Sequence, residues 1–456
     1  MVSPNTVLLI TIIASFATPF TLSAVNVALP DMASDLHLGA LAMGWVSLSF
    51  LLASGMFLVP AGRAADIYGR KKAFTAGFAV FTAASLACAM ASSATWLIAF
   101  RTLQGIGSAM IFGTGVAILT SVFPAARRGR ALGYVSAAVY SGLSMGPLLG
   151  GFLVGHFSWR AIFYLNVPVG MVVLFLVFTR LDGEWKEAAG ESFDKAGALL
   201  YSLSTALFMF GLSTVPAPSS FLMLAGGAAG FAYFLGYERR VTYPVFNSAL
   251  LMENRVFAYS SLTAFLSYSS TFAVGFMLSL YLQYARGLTP QQAGLTLVWQ
   301  PAFMVLLSPW AGRLSDRLDP GTVSSVGMGL TCAGVLFFTG ISETTPFGVI
   351  IGGLCVLGTG LAFFSSPNTN AVMGSVEKKS YSVASATLAT MRLAGQTFSM
   401  ALVLLLFSVF IGSVKLSRDN IAPFIKCFNA AVYVFAAMSF AGIFTSLKRR
   451  NNPAAN

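Results

Sequence analysis

The chain contains 456 residues, of which 56% are hydrophobic and only 9% are charged. A soluble protein of average composition carries about 25% charged residues, so most of the outer surface of this chain is predicted to face membrane hydrocarbon. The same composition excludes disordered, collagen-like and disulfide-rich proteins. The four cysteines lie in apolar stretches and are predicted to be small buried residues.

Fourteen apolar runs are predicted to cross the membrane as helices, because about 30 Å of hydrocarbon needs roughly 20 residues. Hydrocarbon offers polar backbone groups no partner outside a helix or a closed barrel, and these runs lack the alternation of barrel strands. The first run is too long for a cleaved signal and is expected to be retained. The predicted fold is therefore an all-α integral membrane protein. The runs lie near residues 8–30, 41–60, 73–93, 95–121, 131–155, 161–179, 197–214, 219–236, 257–283, 291–311, 322–341, 347–368, 382–411 and 421–446.

The placement of the basic residues predicts the orientation of these helices. Of the 27 lysines and arginines, twenty fall in loops on one side, five fall on the other side, and only Arg101 and Arg392 lie inside spans. Loops rich in lysine and arginine stay in the cytoplasm, so both chain termini are predicted to be cytoplasmic. The formal net charge of +12 is thereby explained as a topology signal, and no nucleic-acid partner is expected.

A repeated loop element indicates an internal duplication. The stretch GRAADIYGRKK, from Gly62 to Lys72, has a shortened counterpart, GRLSDR, from Gly312 to Arg317. Both follow a predicted span on the cytoplasmic side, which indicates two homologous six-helix halves. We expect the first half at residues 1–180, two inserted helices with their linkers at 181–256, the second half at 257–446, and a cytoplasmic tail at 447–456.

Seven stretches, including the first loop element, match in order and in position the motifs of one transport family. They are VNVALPD at 25–31, GRAADIYGRKK at 62–72, RTLQGIGSA at 101–109, SGLSMGPLLGG at 141–151, WRAIFYLNVPVG at 159–170, YLQYARGLTPQQAG at 281–294 and SPNTNAVMGSV at 366–376. Together they resemble the major facilitator superfamily, and within it the fourteen-helix branch of drug/proton antiporters. The resemblance implies a secondary transporter that opens a central site alternately to the two sides of the membrane.

The resemblance also implies that the first loop motif forms a latch, which holds the cytoplasmic side closed when the transporter faces outward. Its glycines permit a tight turn, and its acid can pair with the basic residues beside it. The positive-inside rule alone explains the lysines but not Asp66. The predicted cytoplasmic gate consists of Gly62, Asp66, Gly69, Arg70 and Lys71, with Asp316 and Arg317 in the second half.

The fifth helix carries glycines at four-residue spacing together with a proline. Small residues at this spacing let two helices approach closely, and proline removes one backbone hydrogen bond. The resemblance implies that this segment is the antiporter motif, while close helix packing alone explains the same pattern. The motif residues are Gly142, Gly146, Pro147, Gly150 and Gly151.

Two intramembrane arginines and a set of amides are the predicted substrate-binding residues. A cation in hydrocarbon costs at least about 2.5 kcal/mol and usually serves a function. Arg392 lies roughly 16 Å into the thirteenth helix, and Arg101 roughly 9 Å into the fourth. The alternatives are snorkelling for Arg101, a structural contact for Arg392 and interhelical hydrogen bonds for the amides. The predicted set is Asn26, Arg101, Gln104, Gln300, Asn368, Arg392 and Gln396.

The positions of the acidic residues bear on proton coupling. All fifteen are predicted to lie in loops or at helix ends. The antiporter branch commonly carries an acid in the first helix, and Thr21 occupies the aligned position in this chain. Proton coupling would therefore depend on Asp31 or Asp35 at the outer boundary, together with Arg101. Without intramembrane acids, the two arginines would favour an anionic substrate.

The predicted function is export of small amphipathic molecules by alternating access, as a multidrug-type carrier whose proton coupling is left open. One alternative is an exchanger or facilitator for an organic anion bound by Arg101 and Arg392, and another is a lipid-handling flippase of the same fold. The sequence places no residues for acid–base, metal or nucleotide chemistry, so neither an enzyme nor a cofactor or metal site is expected. The expected partners are a small-molecule substrate and the lipid bilayer, and the expected state is a monomer in the plasma membrane.

Overall fold

The computed structural model describes residues 3–215, 217–246, 254–376, 381–412, 416 and 421–450, so parts of the predicted 181–256 insertion and of the tail lie outside it. Within the described residues the chain forms fourteen helices and no strand, which confirms the predicted all-α fold. The helices are α1 (Pro4–Leu36), α2 (Ala40–Tyr68), α3 (Arg70–Ala89), α4 (Ala94–Val122), α5 (Ala125–His156), α6 (Arg160–Arg180), α7 (Lys195–Thr214), α8 (Pro218–Glu238), α9 (Arg255–Leu280), α10a (Pro290–Leu297) with α10b (Trp299–Arg317), α11 (Pro320–Leu336), α12 (Phe347–Gly374), α13 (Tyr381–Phe410) and α14 (Ile421–Leu447).

Helix lengths differ from the predicted apolar runs. Twelve of the described helices are long and apolar enough to cross a membrane, while α10b has 19 residues and α11 has 17. Several helices continue beyond the apolar run. The extension of α1 to Leu36 and of α2 to Tyr68 places Asp31, Asp35 and Asp66 in the last turns of helices rather than in loops.

The tenth helix is interrupted for a local reason. Its first segment begins with a capping box, in which Thr289 and Gln292 satisfy each other's backbone N–H groups, and with Pro290 at the first helical position. Pro301 has no N–H to donate to the carbonyl of Leu297, so the helical ladder is broken between α10a and α10b. The short α10a can therefore pack at its own angle against α5.

The two halves of the fold repeat one packing pattern. In the first half α1 packs on α5, α2 on α4, and α3 on both α4 and α6. In the second half α9 packs on α13, α10b on α12, and α11 on both α12 and α14. Adding eight to each helix number of the first half gives the pairs of the second half, as expected for two six-helix repeats with two helices inserted between them.

The inserted helices α7 and α8 form a hairpin beside the junction of α2 and α13. On α7, the Tyr201 hydroxyl donates to the Gly55 carbonyl at 3.0 Å and the Ser202 hydroxyl donates to the Met56 carbonyl at 2.9 Å, both on α2. The link to the second half is the Ser408 hydroxyl, which donates to the Val215 carbonyl at 2.7 Å. The outer face of α8 is exposed and apolar, as expected for a lipid-facing surface.

The glycines of α5 set the spacing of the helices around it. Cβ atoms on Gly142 and Gly146 would each stand 2.5 Å from an atom of α1, and one on Gly150 would stand 2.8 Å from that helix. A Cβ on Gly151 would stand 2.6 Å from the Pro290 carbonyl oxygen of α10a, in the second half. Three of these glycines therefore let α5 pack closely on α1. The fourth, Gly151, lets the two halves come into contact.

Other close contacts join the halves at the same end of the bundle. The Pro147 carbonyl of α5 lies directly against Gly294 of α10a. The Ser279 hydroxyl donates to the Asn26 carbonyl at 2.8 Å, and the Gln283 amide donates to the Val27 carbonyl at 3.0 Å. The Gln283 contact comes from the π-helical turn that extends α9, where the wider backbone turn re-aims the side chain.

Replacing Gly146 by alanine tests the close packing of α1 and α5. The added methyl group would overlap the Ser23 Cβ, so we expect G146A to lower the free energy of unfolding by about 1–3 kcal/mol. The matched control is G226A on α8, where a Cβ meets nothing within 4 Å and the better helix former should be neutral or stabilising. Thermal unfolding of both variants in detergent measures the difference, and equal melting temperatures would contradict the packing assignment.

Candidate functional site

One end of the bundle, called here the basic end, carries the α2–α3 turn, the α6–α7 linker and the Lys448–Arg450 turn. There Arg70 is buried, with 2% of its surface exposed. Its guanidinium donates to Asp66 at 2.7 Å, to both carboxylate oxygens of Glu187 at 2.6 and 2.8 Å, and to the Ser121 hydroxyl at 2.8 Å. Such charge-assisted, bidentate pairing fixes the orientation of a guanidinium strongly.

The linker that supplies Glu187 is held on the start of α3, and its residues 181–191 are called here the linker clasp. Gly69 has a φ of 131°, a backbone conformation that favours glycine, and it lets α3 start directly after α2. The Glu184 carboxylate accepts the backbone N–H groups of Lys71 at 2.7 Å and Lys72 at 3.3 Å. A carboxylate at this position satisfies free N–H groups and complements the positive end of the helix dipole.

The predicted gate residues thus occupy two separate places. Arg70 and Asp66 contact α2, α3, α4 and the linker clasp, and the Lys71 ammonium donates to the Leu181 carbonyl. Gly62 lies where α2 crosses α4 at Gly113. In the second half, Asp316 accepts the Asn370 amide at 3.2 Å, and Arg317 is exposed. Each of these contacts stays within one half or the linker.

Arg101 lies fully buried inside the first half. Its Nε donates to the Val46 carbonyl at 3.0 Å, and Nη1 donates to the Gln104 side chain, whose amide in turn donates to the Ser85 hydroxyl at 2.7 Å. The guanidinium carbon stands 4.4 Å from the ring centre of Phe50. Nη2 has no hydrogen-bond partner among the described residues. The arrangement ties α2, α3 and α4 together around a cation.

Thr21, at the position where the family resemblance implies an acid, lies near the middle of α1. The Thr21 hydroxyl is buried and lies 2.8 Å from the Ala17 carbonyl oxygen and 3.0 Å from the Asn166 side-chain oxygen, and its one hydrogen serves these two acceptors. At the opposite end of the bundle Asp35 accepts the Trp159 ring N–H at 3.0 Å and pairs with Arg160. Asp31 is partly buried at that same end.

Asn368 belongs to a second buried arginine network, at the basic end of the second half. Arg449, 5% exposed, donates to the Asn368 side-chain oxygen at 2.6 Å, to Ser260 at 3.0 Å and to Ser324 at 2.9 Å, and also contacts Ser446. Burial lowers the pKa of Arg449 to about 10, so it is still a cation at neutral pH. Its partners come from α9, α11, α12 and α14, and they are neutral.

Arg392 lies between the two halves, in a group of five residues called here the central cluster: Phe112, Tyr140, Tyr268, Ser365 and Arg392. The guanidinium carbon of Arg392, on α13, stands 6.0 Å from the ring centre of Phe112, on α4. The Tyr140 hydroxyl of α5 is 2.7 Å from the Ser365 hydroxyl of α12, and the Tyr268 hydroxyl of α9 is 3.4 Å from it. Tyr140 is within electrostatic range of Arg392.

The state of the Arg392 side chain differs from that of the other buried arginines. It is partly exposed although it lies in the middle of a helix. Among the described residues, no hydrogen bond or ion pair is made by its guanidinium, and its polar nitrogens are not sealed from solvent. Phe112 is the neighbour that the structure gives it across the interface. The central cluster therefore presents an available cation beside three aromatic rings.

The remaining predicted binding residues do not gather at the central cluster. Asn26 lies at the junction of α1, α2 and α9, where its side chain accepts the Ser47 hydroxyl at 3.1 Å. Gln300 lies on α10b, where its carbonyl approaches Gly358, and Gln396 is buried on α13, one turn from Arg392. With Arg101, Gln104 and Asn368 in separate networks, the sequence-predicted set is distributed over several sites.

Sequence reasoning missed most of the central cluster and the linker clasp. A tyrosine or a phenylalanine within an apolar run carries no distinguishing signal in a chain with 40 phenylalanines and 14 tyrosines. The acids of the linker offered one available signal, since Glu184, Glu187 and Glu191 are predicted to lie on the same side of the membrane as the basic motif at 62–72 and have the opposite charge. Arg449 was counted only as a topology signal at the chain end.

Removing the Glu184 carboxylate tests the linker clasp. E184Q weakens the cap on α3 by about 0.5–2 kcal/mol, so backbone amides of residues 181–191 should exchange about 2- to 30-fold faster with deuterated solvent. The control is D182N, an exposed neighbour in the same segment, which should leave the exchange unchanged. Equal exchange rates in both variants would show that the contact does not hold the linker.

Comparison with known proteins agrees with this architecture. The chain is 28% identical to riboflavin transporter RibZ of Clostridioides difficile, over 96% of this chain and 95% of that protein. It is 30% identical to multidrug resistance protein Stp of Mycobacterium tuberculosis, over 83% of this chain and 71% of that protein. A bacterial homologue of the human lysosomal transporter Spinster, solved in an inward-facing and unoccupied conformation, superposes with a TM-score of 0.69 at 16% identity, covering 99% of both chains.

The family pattern described as Major Facilitator Superfamily matches residues 11–252 and 260–456, which together make up nearly the whole chain. The family and the curated relatives are transporters and not enzymes. The chain belongs to the Major Facilitator Superfamily.

Proposed function

We propose that this protein exports small amphipathic molecules through the plasma membrane by alternating access, as a multidrug-type carrier with the basic end in the cytoplasm. The observation that carries the proposal is the central cluster, where Arg392 has an available guanidinium at the interface of the two halves. Supporting it, relatives include a multidrug resistance protein and the tetracenomycin C resistance and export protein of Streptomyces glaucescens, which is 30% identical over 74% of this chain.

The chemistry of the central cluster suits an aromatic substrate with an anionic or strongly accepting group. A guanidinium with free N–H groups binds carboxylate or related oxygens in pairs. The rings of Phe112, Tyr140 and Tyr268 offer apolar area with two phenol groups for orientation. Because the described neighbours of Arg392 include no carboxylate, the substrate is the group that supplies the opposite charge.

The same contacts explain how binding is connected to movement. The Tyr140–Ser365 hydrogen bond joins α5 of the first half to α12 of the second. A substrate that bridges Arg392 and Tyr140 replaces that bond with contacts to both halves. At the far end the halves already meet through Gly151 and Gly294, so in this arrangement the substrate enters from the basic end.

The organic-anion exchanger is the second candidate function, and the same lack of acids near Arg392 favours it. In this case the anion rests on Arg392, because Arg101 is sealed within the first half by Val46, Gln104 and Phe50. Exchange would need no coupling ion, whereas uphill export does. The two candidates therefore differ in whether protons move with the substrate.

Substitution of Arg392 tests the substrate site. R392Q removes a charged hydrogen-bonding group, so we expect binding of an anionic dye such as fluorescein to weaken about 10- to 100-fold while binding of the cationic dye ethidium changes little. R392K should keep part of the affinity because it keeps the charge. Fluorescence titration and uptake into inside-out vesicles measure these effects.

The control for this test is R286Q. Arg286 also stands over a phenylalanine ring, with 4.5 Å from its guanidinium carbon to the ring centre of Phe347, but it lies at the opposite end of the bundle. The R286Q variant should therefore leave the affinity of the protein for both dyes unchanged. An equal loss for both dyes in R392Q, or no loss for either, would refute the proposed role of Arg392.

Proton coupling has its own test. Asp35 is held by Arg160 and Trp159, which leaves Asp31 as the boundary acid without a side-chain partner among the described residues. We expect a substrate gradient across proteoliposomes to drive a pH change in the wild type and in D182N, and expect D31N to lose it while keeping substrate counterflow. If the wild type shows counterflow without a pH change, the protein is an exchanger and not a proton antiporter.

A further inference from the structure

At the basic end of the inserted hairpin, two carboxylates each have one hydrogen-bonded oxygen and one oxygen without a hydrogen-bond partner among the described residues. Asp194 caps α7, and its Oδ1 accepts the Gly197 N–H at 2.9 Å and the Tyr237 hydroxyl at 3.1 Å. Glu238 ends α8 with 3% of its surface exposed, and its Oε2 accepts the Phe246 N–H at 3.0 Å. The other oxygen of each carboxylate, Asp194 Oδ2 and Glu238 Oε1, is buried and has no partner among the described residues.

The two unpartnered oxygens face the same point. A Cβ placed on Gly197 would stand directly against Asp194 Oδ2 and 2.5 Å from Glu238 Oε1, so both oxygens border the space that the glycine leaves open. Two buried acceptors without a donor are strongly unfavourable, and two like charges so close repel each other. One hydrogen between them removes both difficulties, since a protonated carboxyl donates a short, strong hydrogen bond to a carboxylate.

We propose that Asp194 and Glu238 form a proton-binding site in which the pair holds one shared proton at neutral pH. The proton resides on one oxygen and is hydrogen-bonded to the other, leaving the pair with a single negative charge. When it is released, it passes to water at the basic end, and the pair then carries two negative charges.

Several other groups face this pair and set its proton affinity. Tyr237 donates to Asp194, and Tyr233 stacks on Tyr237 with 6.4 Å between ring centres. Arg63 of α2 is within electrostatic range of Glu238 and pairs with Glu191 of the linker clasp. The Nε of Arg63 is buried and has no hydrogen-bond partner among the described residues.

Arg63 connects the proton site to the first half of the transporter. Arg63 is the second residue of the loop motif that begins at Gly62. One of its terminal nitrogens pairs with the Glu191 carboxylate of the linker clasp. Loss of the proton doubles the negative charge that faces Arg63 and draws the guanidinium away from Glu191 toward the hairpin. Protonation at the hairpin thereby controls how firmly the linker clasp is held.

Infrared titration of the purified protein in lipid nanodiscs tests the proposal without any substrate. The carbonyl stretch of a protonated carboxyl should appear near neutral pH in the wild type and in D182N, and vanish with rising pH. The amide of E238Q or D194N supplies the missing donor, so both variants should fold and lack this band. Absence of the band in the wild type at neutral pH, or its persistence in both variants, would overturn the proposal.

Two further measurements distinguish a carboxylate pair that shares a proton from a pair that has only a structural role. Removing the nearby cation in R63Q favours the protonated form, so the midpoint of the titration should rise by about one pH unit. Thermal stability of the wild type should increase as pH falls through the midpoint, because the folded state binds the proton more tightly than the unfolded state does. E238Q should lose this dependence; an unchanged dependence in E238Q, or a lowered midpoint in R63Q, would count against the site.

Discussion

A guanidinium that leaves the membrane surface must bring polar partners with it, and the packing of this protein is organised around that requirement. Arg70 is surrounded by carboxylates, Arg101 by a carbonyl, an amide and an aromatic ring, and Arg449 by hydroxyls and an amide. Each of these three ties several helices of one half together. Arg392 alone among the four makes no hydrogen bond or ion pair within the described part of the chain, and its nitrogens stay available. Three arginines therefore build the halves, and the fourth is the one that we propose as a substrate-binding group between them.

The membrane character, the helices and the family could be predicted from the sequence because each rests on local patterns. Apolar runs and glycine spacing repeat within one helix, and motifs such as GRAADIYGRKK are contiguous in the chain. Helix ends were less predictable, since α1 and α2 continue as helices beyond the hydrocarbon once their polar turns are supported. The break in the tenth helix depends on Pro301, which lies within a predicted apolar run.

The partners of the charged groups could not be predicted, because they come from distant segments. Arg70 meets Glu187, which lies 117 residues away, and Arg449 meets Ser260, which lies 189 residues away. No periodicity encodes such pairs in a single sequence. The predicted binding residues were chosen by residue type and depth, and these two criteria do not distinguish a side chain that faces the interface from one that faces its own half. Arg101 and Arg392 are both intramembrane arginines by these criteria, yet they lie in different environments.

The contact between α5 and α10a determines how the far end of the bundle can behave. Gly151 meets the Pro290 carbonyl, and Gly294 meets the Pro147 carbonyl, so main chain touches main chain on both sides. Backbone atoms in contact have no side-chain rotamers that could change to relieve the contact, whereas leucine side chains between two helices could rearrange. The halves have a fixed distance of closest approach there, which works as a mechanical end-stop. A closure limited in this way has one defined end position, in which the backbones of α5 and α10a are in contact.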